Sequence, residues 1–118
     1  DGSFSRDFTY IDNVILMNLL CLTTENQEAL NQVYNTAAGE RTSLLELVEL
    51  LKKYLGEYDP KIKDVEIKFG PERKGDVLHS LACIEKAKSN LLYKVEIALS
   101  KGLNKTSTWF FEKYSLNN

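Results

Sequence analysis

The residues best suited to bind a ligand are Arg73 and Asp76, three positions apart in the stretch FGPERKGDVLHS, residues 69–80. These twelve residues also hold two of the six glycines, one of the two prolines and the only histidine, His79. An arginine fork donates paired hydrogen bonds to phosphate oxygens and keeps its charge at any physiological pH. A carboxylate accepts from two adjacent hydroxyls, as in ribose recognition. Three residues of extended chain span at most roughly 10 Å, and a bend at Gly75 shortens that reach. One loop could therefore hold a diphosphate at Arg73 and its ribose at Asp76, which makes a nucleotide-sugar a chemically sensible ligand. The same side chains, with Glu72 and Lys74, equally describe a solvated loop between a strand and a helix. Arg6 and Asp7 raise the same alternative, because a surface ion pair is their default. Residue types and spacing leave both readings open.

Other chemistry is excluded more firmly. The sequence has no GxGxxG, P-loop or HExxH, and none of its six tyrosines is followed four residues later by lysine. One histidine and two scattered cysteines, Cys21 and Cys83, do not make a conventional zinc site. No serine sits in GxSxG, and a Ser-His-Asp triad would have to recruit His79 without a local signature.

The elements that must position these residues are legible from pattern. RDFTYI, residues 6–11, reads as a short strand or extended lead-in, followed by Asp12 at an N-cap position and a helix to about Leu22. TTENQEALNQ reads as a polar connection with a short helical turn. QVYNTAAG alternates and ends at Gly39, so a strand and turn are expected there. Ser43 and Glu46 form an S-x-x-E capping box ahead of a helix whose apolar face is Leu44, Leu47, Val48, Leu51 and Leu55. Gly56 is expected to end that helix in a left-handed conformation. VEIKF, residues 65–69, predicts a half-buried strand. Helices are expected over about 84–91 and 99–114, the last with Leu99, Leu103, Thr106 and Phe110 on one side.

The chain has 118 residues, 43% of them hydrophobic, and 15 basic side chains against 17 acidic ones. One domain is expected, without the field that would draw a whole chain to nucleic acid or an anionic membrane. NVILMNLLCL is broken by Asn18 and is far short of the roughly 20 residues of a bilayer span. No signal peptide is visible, and with two cysteines outside any CxxC spacing a reduced, cytoplasmic chain is the simplest expectation. The sequence starts at Asp1, without methionine, and enters patterned structure within a few residues. We expect a piece of a longer protein.

Four segments, SRDFTYIDNV, YNTAAGERTSLLELVELL, GDVLHS and the series Leu99, Gly102, Leu103, Thr106, Trp109, resemble in order and spacing the C-terminal part of extended short-chain dehydrogenases acting on nucleotide-sugars. The branch it looks closest to is UDP-N-acetylglucosamine 4-epimerase, and the likeness runs from Ser5 to Trp109. The resemblance implies an α+β fold, helices packed on short strands, in which residues 1–118 form a single nucleotide-sugar-binding lobe and the Rossmann domain is mostly missing. It implies that NAD and the catalytic Tyr-x-x-x-Lys belong to that N-terminal domain, leaving no catalytic residue in this chain and an inactive fragment. In such enzymes UDP-GlcNAc and UDP-GalNAc interconvert through a 4-keto intermediate. By position, Arg6 and Arg73 would hold the diphosphate, Asp76 the ribose, and Ser80 would leave room for the sugar's N-acetyl group. His79 flanks Ser80, and we count it as a substrate-binding candidate without a stated role.

The sequence departs from the family pattern at Leu78, where arginine is common, at Cys83, where aspartate usually caps the next helix, and at Leu92, in place of glycine. If QVYNTAA belongs to the edge of the missing Rossmann sheet, an unpaired strand edge remains, and self-association as a homodimer or by strand exchange is expected. Two alternatives remain: a nucleotide-sugar dehydratase or decarboxylase sharing this lobe, and a non-catalytic interaction module.

Overall fold

The computed structural model describes residues 2–71 and 74–114. The chain forms a slab of 53 × 39 × 18 Å with a radius of gyration of 17.5 Å. A compact domain of this length would have a radius near 14 Å. Helix dominates. Among the described residues two strands, β1 (Ser5–Arg6) and β2 (Thr42–Ser43), pair antiparallel, and four α-helices follow the order α1 (Ile11–Thr23), α2 (Leu44–Leu55), α3 (Glu85–Leu91) and α4 (Leu99–Tyr114). Short 3-10 turns at Gln27–Ala29 and Pro60–Asp64 fill the connections, the first capped by the Asn26 side chain.

Local signals produced the helices they predicted. The Ser43 hydroxyl accepts from the Glu46 amide while the Glu46 carboxylate accepts from the Ser43 amide, closing the capping box at α2. The boundaries of α4 are those expected, and α3 starts one residue later than its pattern. Leu92 ends α3 at φ 55°, ψ 28°, the left-handed turn for which glycine is the usual residue.

Four expectations require correction. Asp12 is not an N-cap: Tyr10 occupies that position, and Asp12 lies in the first turn, paired with Lys105 of α4 at 2.7 Å. Gly56 ends α2 at φ −69°, in the right-handed region. There a side chain is excluded by space, since a Cβ would lie 2.6 Å from the Lys52 carbonyl oxygen. QVYNTAAG and VEIKF form no strand among the described residues. Alternation marks two faces, but a strand also needs a neighbouring strand to take its backbone bonds, and neither segment has one among the described residues.

The core gathers Met17 of α1, Ala29, Ala37, Ile84, Ala87 and Leu91 of α3, and Tyr93. The Tyr93 hydroxyl donates to the Ala37 carbonyl at 2.9 Å; its burial, and then the Asp7 carboxylate, raise its pKa above the ordinary tyrosine value. Asn13, fully buried, clamps the segment before α4 by accepting from the Glu96 and Ile97 amides and donating to the Ile97 carbonyl. At the crossing of α4 with the lead-in, a Cβ on Gly102 would lie 2.7 Å from the Tyr10 ring, so glycine permits that contact. In contrast, α1 presents Ile11, Ile15 and Leu19 outward, each more than half exposed. These positions, four apart, share one face.

Candidate functional site

The central element of the site is β1. One edge pairs with β2 in the register Ser5↔Ser43 and Arg6↔Thr42. On the other edge lies the end of the glycine-rich loop, joined by a parallel bridge between Ser5 and His79. The Ser5 amide donates to the Leu78 carbonyl at 3.0 Å, and the Ser80 amide to the Ser5 carbonyl at 3.1 Å. The chain thus brings together segments more than seventy residues apart. A turn at Lys74 and Gly75 precedes Asp76, and Gly75 stands at φ +85° with open space around it, so glycine is required there by conformation.

That geometry sets Arg6 against Asp76. Arg6 Nη2 donates to Asp76 Oδ1 at 2.6 Å, and Arg6 Nη1 to the Ser5 carbonyl at 2.9 Å. The side chains are 29% and 36% exposed, so the pair borders solvent. Two of the five guanidinium N–H groups are occupied, and three remain available among the described residues, enough for the bidentate hold on a phosphate that arginine favours. The default pairing of Arg6 with Asp7 does not form. Asp7 faces the other way, its two carboxylate oxygens accepting from the Ala38 and Gly39 amides at 2.9 Å each. That is a structural role.

Of the other candidate residues, Arg73 lies outside the described residues. Ser80 joins the site through its backbone and keeps its side chain in an exposed position. His79 is engaged by Ser5, with Nδ1 at 2.9 Å from the hydroxyl oxygen. Ser5 is not among the candidate site residues that the sequence offers, where only its place before Arg6 sets it apart. Asp76 also helps to line a cleft of about 380 Å³, with Phe4, Leu44, Leu45, Val48, Ile67 and Phe69. No group of three metal-ligating side chains occurs among the described residues, and no helix among them is long and apolar enough to cross a membrane.

No family model matches the chain. Solved structures do. UDP-glucose 4-epimerase from Thermotoga maritima, solved with UDP-glucose, is 34% identical at a TM-score of 0.80, over 96% of this chain and 33% of that one. A UDP-glucuronic acid 4-epimerase variant from Bacillus cereus, in complex with UDP-4-deoxy-4-fluoro-glucuronic acid and NAD, is 30% identical at a TM-score of 0.82, over 97% of this chain and 34% of that one. This chain is a partial homologue of nucleotide-sugar epimerases. It spans about a third of the length of the curated relatives it matches. UDP-N-acetylglucosamine 4-epimerase from Methanobrevibacter ruminantium, in complex with UDP-N-acetylmuramic acid, is 30% identical at a TM-score of 0.78, over 96% of this chain and 33% of that one. Three epimerases named for three different sugars thus match about equally, and the UDP-N-acetylglucosamine branch is not singled out.

Proposed function

We propose that this chain is the nucleotide-sugar-binding lobe of an NAD-dependent nucleotide-sugar 4-epimerase. The observation that carries the proposal is the Arg6–Asp76 contact of 2.6 Å, a phosphate-type donor and a ribose-type acceptor brought together from positions seventy residues apart. Arg6, with Arg73, holds the diphosphate, and Asp76 accepts from the ribose hydroxyls. The nucleobase, one glycosidic bond from the ribose, then enters the cleft that Asp76 helps to line, against Phe4 and Phe69. The sugar extends from the diphosphate toward Ser80. A small side chain there favours UDP-N-acetylglucosamine, because space for an acetamide is the demand that separates it from UDP-glucose.

The described residues do not fit NAD. A dinucleotide pyrophosphate docks where a glycine-rich turn opens a helix with free amides. The helix here that follows a glycine turn, α2, has its first amides engaged, Leu44 by the Phe4 carbonyl, Leu45 by the Gly2 carbonyl and Glu46 by the Ser43 hydroxyl, with the Glu46 carboxylate beside them, an arrangement that repels an anion. In this proposal the cofactor and the proton-transferring groups belong to the two thirds of the relatives that this chain does not span, and its own residues bind and orient the substrate. The free, exposed thiols of Cys21 and Cys83 suit a reducing compartment such as the cytoplasm.

Calorimetry of UDP, UDP-N-acetylglucosamine and UDP-glucuronic acid against the wild type, Arg6→Ala and Arg73→Ala tests the proposal. We expect each arginine variant to lose about tenfold or more in UDP affinity, as for a charged group deprived of its partner. Equal affinity in all three proteins would remove the diphosphate assignment. Preference for UDP-glucuronic acid would remove the N-acetyl one.

A further inference from the structure

We infer that Ser5 and His79 form a latch that sets the register of the glycine-rich loop on β1 and so positions Asp76 against Arg6. The inference rests on the nucleotide-binding reading only for its consequence, since the latch is a feature of the fold itself. Two backbone bonds hold the loop to Ser5, and backbone bonds are indifferent to which residue makes them. The side-chain contact is not. Ser5 is 6% exposed, and its hydroxyl finds its partner in His79 Nδ1 at 2.9 Å. Sliding the loop by two residues would set Val77 or Leu81 opposite Ser5. Neither can bond the hydroxyl, and a buried polar group without a partner opposes the shift. Such a slide would also carry Asp76 about 6–7 Å along β1, out of reach of Arg6. A slide by one residue would turn Asp76 to the opposite face.

Asp76 stands three positions before His79, a span of at most roughly 10 Å. Arg6 is the next residue after Ser5, and its Nη1 bonds the same Ser5 carbonyl that receives the Ser80 amide. A single carbonyl thus ties the arginine to the docked loop. His79 is in this account a positioning residue, acting on the ligand through Arg6 and Asp76.

Three measurements test the latch. His79 is the only histidine, so its ring nitrogen resonances are identified without ambiguity. Ser5→Ala should move the Nδ1 resonance. Hydrogen exchange of the Ser5 and Ser80 amides should accelerate about tenfold or more in His79→Ala, and stay within about twofold of wild type in His79→Asn, whose amide group reaches the place of Nδ1. UDP affinity should follow the same order, falling about tenfold in His79→Ala and recovering in His79→Asn. Unchanged amide exchange in His79→Ala would overturn the latch, as would loss of UDP affinity without faster exchange, because His79 would then touch the ligand directly. If the wild type does not bind UDP, the nucleotide reading fails, and the latch is still decided by amide exchange and the ring resonance.

Discussion

Arg6 and Asp76, seventy positions apart in sequence, meet at 2.6 Å on the exposed side of β1. With both side chains about one third exposed, the pair contributes little to stability, about 1 kcal/mol or less. Its effect is on orientation: Asp76 turns the guanidinium while leaving most of its N–H groups open among the described residues, and Arg6 holds the carboxylate beside the cleft.

Stability and binding should therefore separate at this pair. In Asp76→Asn we expect a change in unfolding free energy of about 1 kcal/mol or less, and a loss of about tenfold in UDP affinity. The double swap Arg6→Asp with Asp76→Arg restores an ion pair with the charges exchanged. It should keep wild-type stability without recovering UDP binding. Calorimetry and denaturant titration of both variants check this, and a swapped protein that binds UDP as the wild type does would show that net charge, not placement, is what matters.

Parts of the fold were legible where the physics is local. The capping box at α2 and the bounds of α4 depend on side chains within a turn or two of each other, and pattern reads them directly. Asn13 could not be read that way, because its partners Glu96 and Ile97 lie more than eighty residues on and any polar side chain inside a helix looks alike in sequence. QVYNTAAG and VEIKF misled for the complementary reason: their alternation is real, but the pairing that makes a strand is a property of two segments. The candidate site residues were suggested by resemblance, whereas the contact of Arg6 with Asp76, like that of Ser5 with His79, is tertiary and no local pattern announces it.

Asp7 should behave in the opposite way to Asp76. Its carboxylate satisfies the Ala38 and Gly39 amides at the turn where Gly39 adopts φ +71°. Asp7→Ala leaves two amides without their charged acceptor and should cost about 2–4 kcal/mol of stability. Asp7→Asn, which retains one acceptor oxygen, should cost about half of that. UDP affinity of the folded fraction should stay within about twofold of wild type. A loss of affinity without a loss of stability would reassign Asp7 to the ligand.

The capping box predicts the acid limb of the stability curve. The backbone amide of Ser43, and then its hydroxyl, hold the Glu46 carboxyl below its usual 4.5. A carboxyl whose folded value is depressed adds stability that is fully present above the unfolded value and is lost as pH falls through the folded one. Melting temperature should therefore decline with acidification below 4.5. Glu46→Gln should flatten the decline, and Ser43→Ala should shift it toward higher pH by removing the hydroxyl. An identical acid slope in wild type and Glu46→Gln would show that other carboxyls govern it.

The outward face of α1 bears on assembly. Ile11, Ile15 and Leu19 are exposed by 57%, 51% and 53% in a slab only 18 Å thick, so the chain holds apolar surface that it does not cover itself. Covering three such side chains removes apolar area from water at roughly 25 cal/mol per Å², a gain open to any second apolar surface that fits them. Association of isolated chains through this face is the expected outcome. Sedimentation velocity should show a concentration-dependent shift toward dimer, and Ile15→Glu with Leu19→Glu should abolish it, because two carboxylates on the stripe would have to be desolvated together. The helix should persist in the variant, since both positions face solvent and glutamate is a good helix former. A wild type that stays monomeric at high concentration would rule out association by this face, and dimers that survive the double substitution would place the contact elsewhere, with the unpaired QVYNTAA segment the next surface to test.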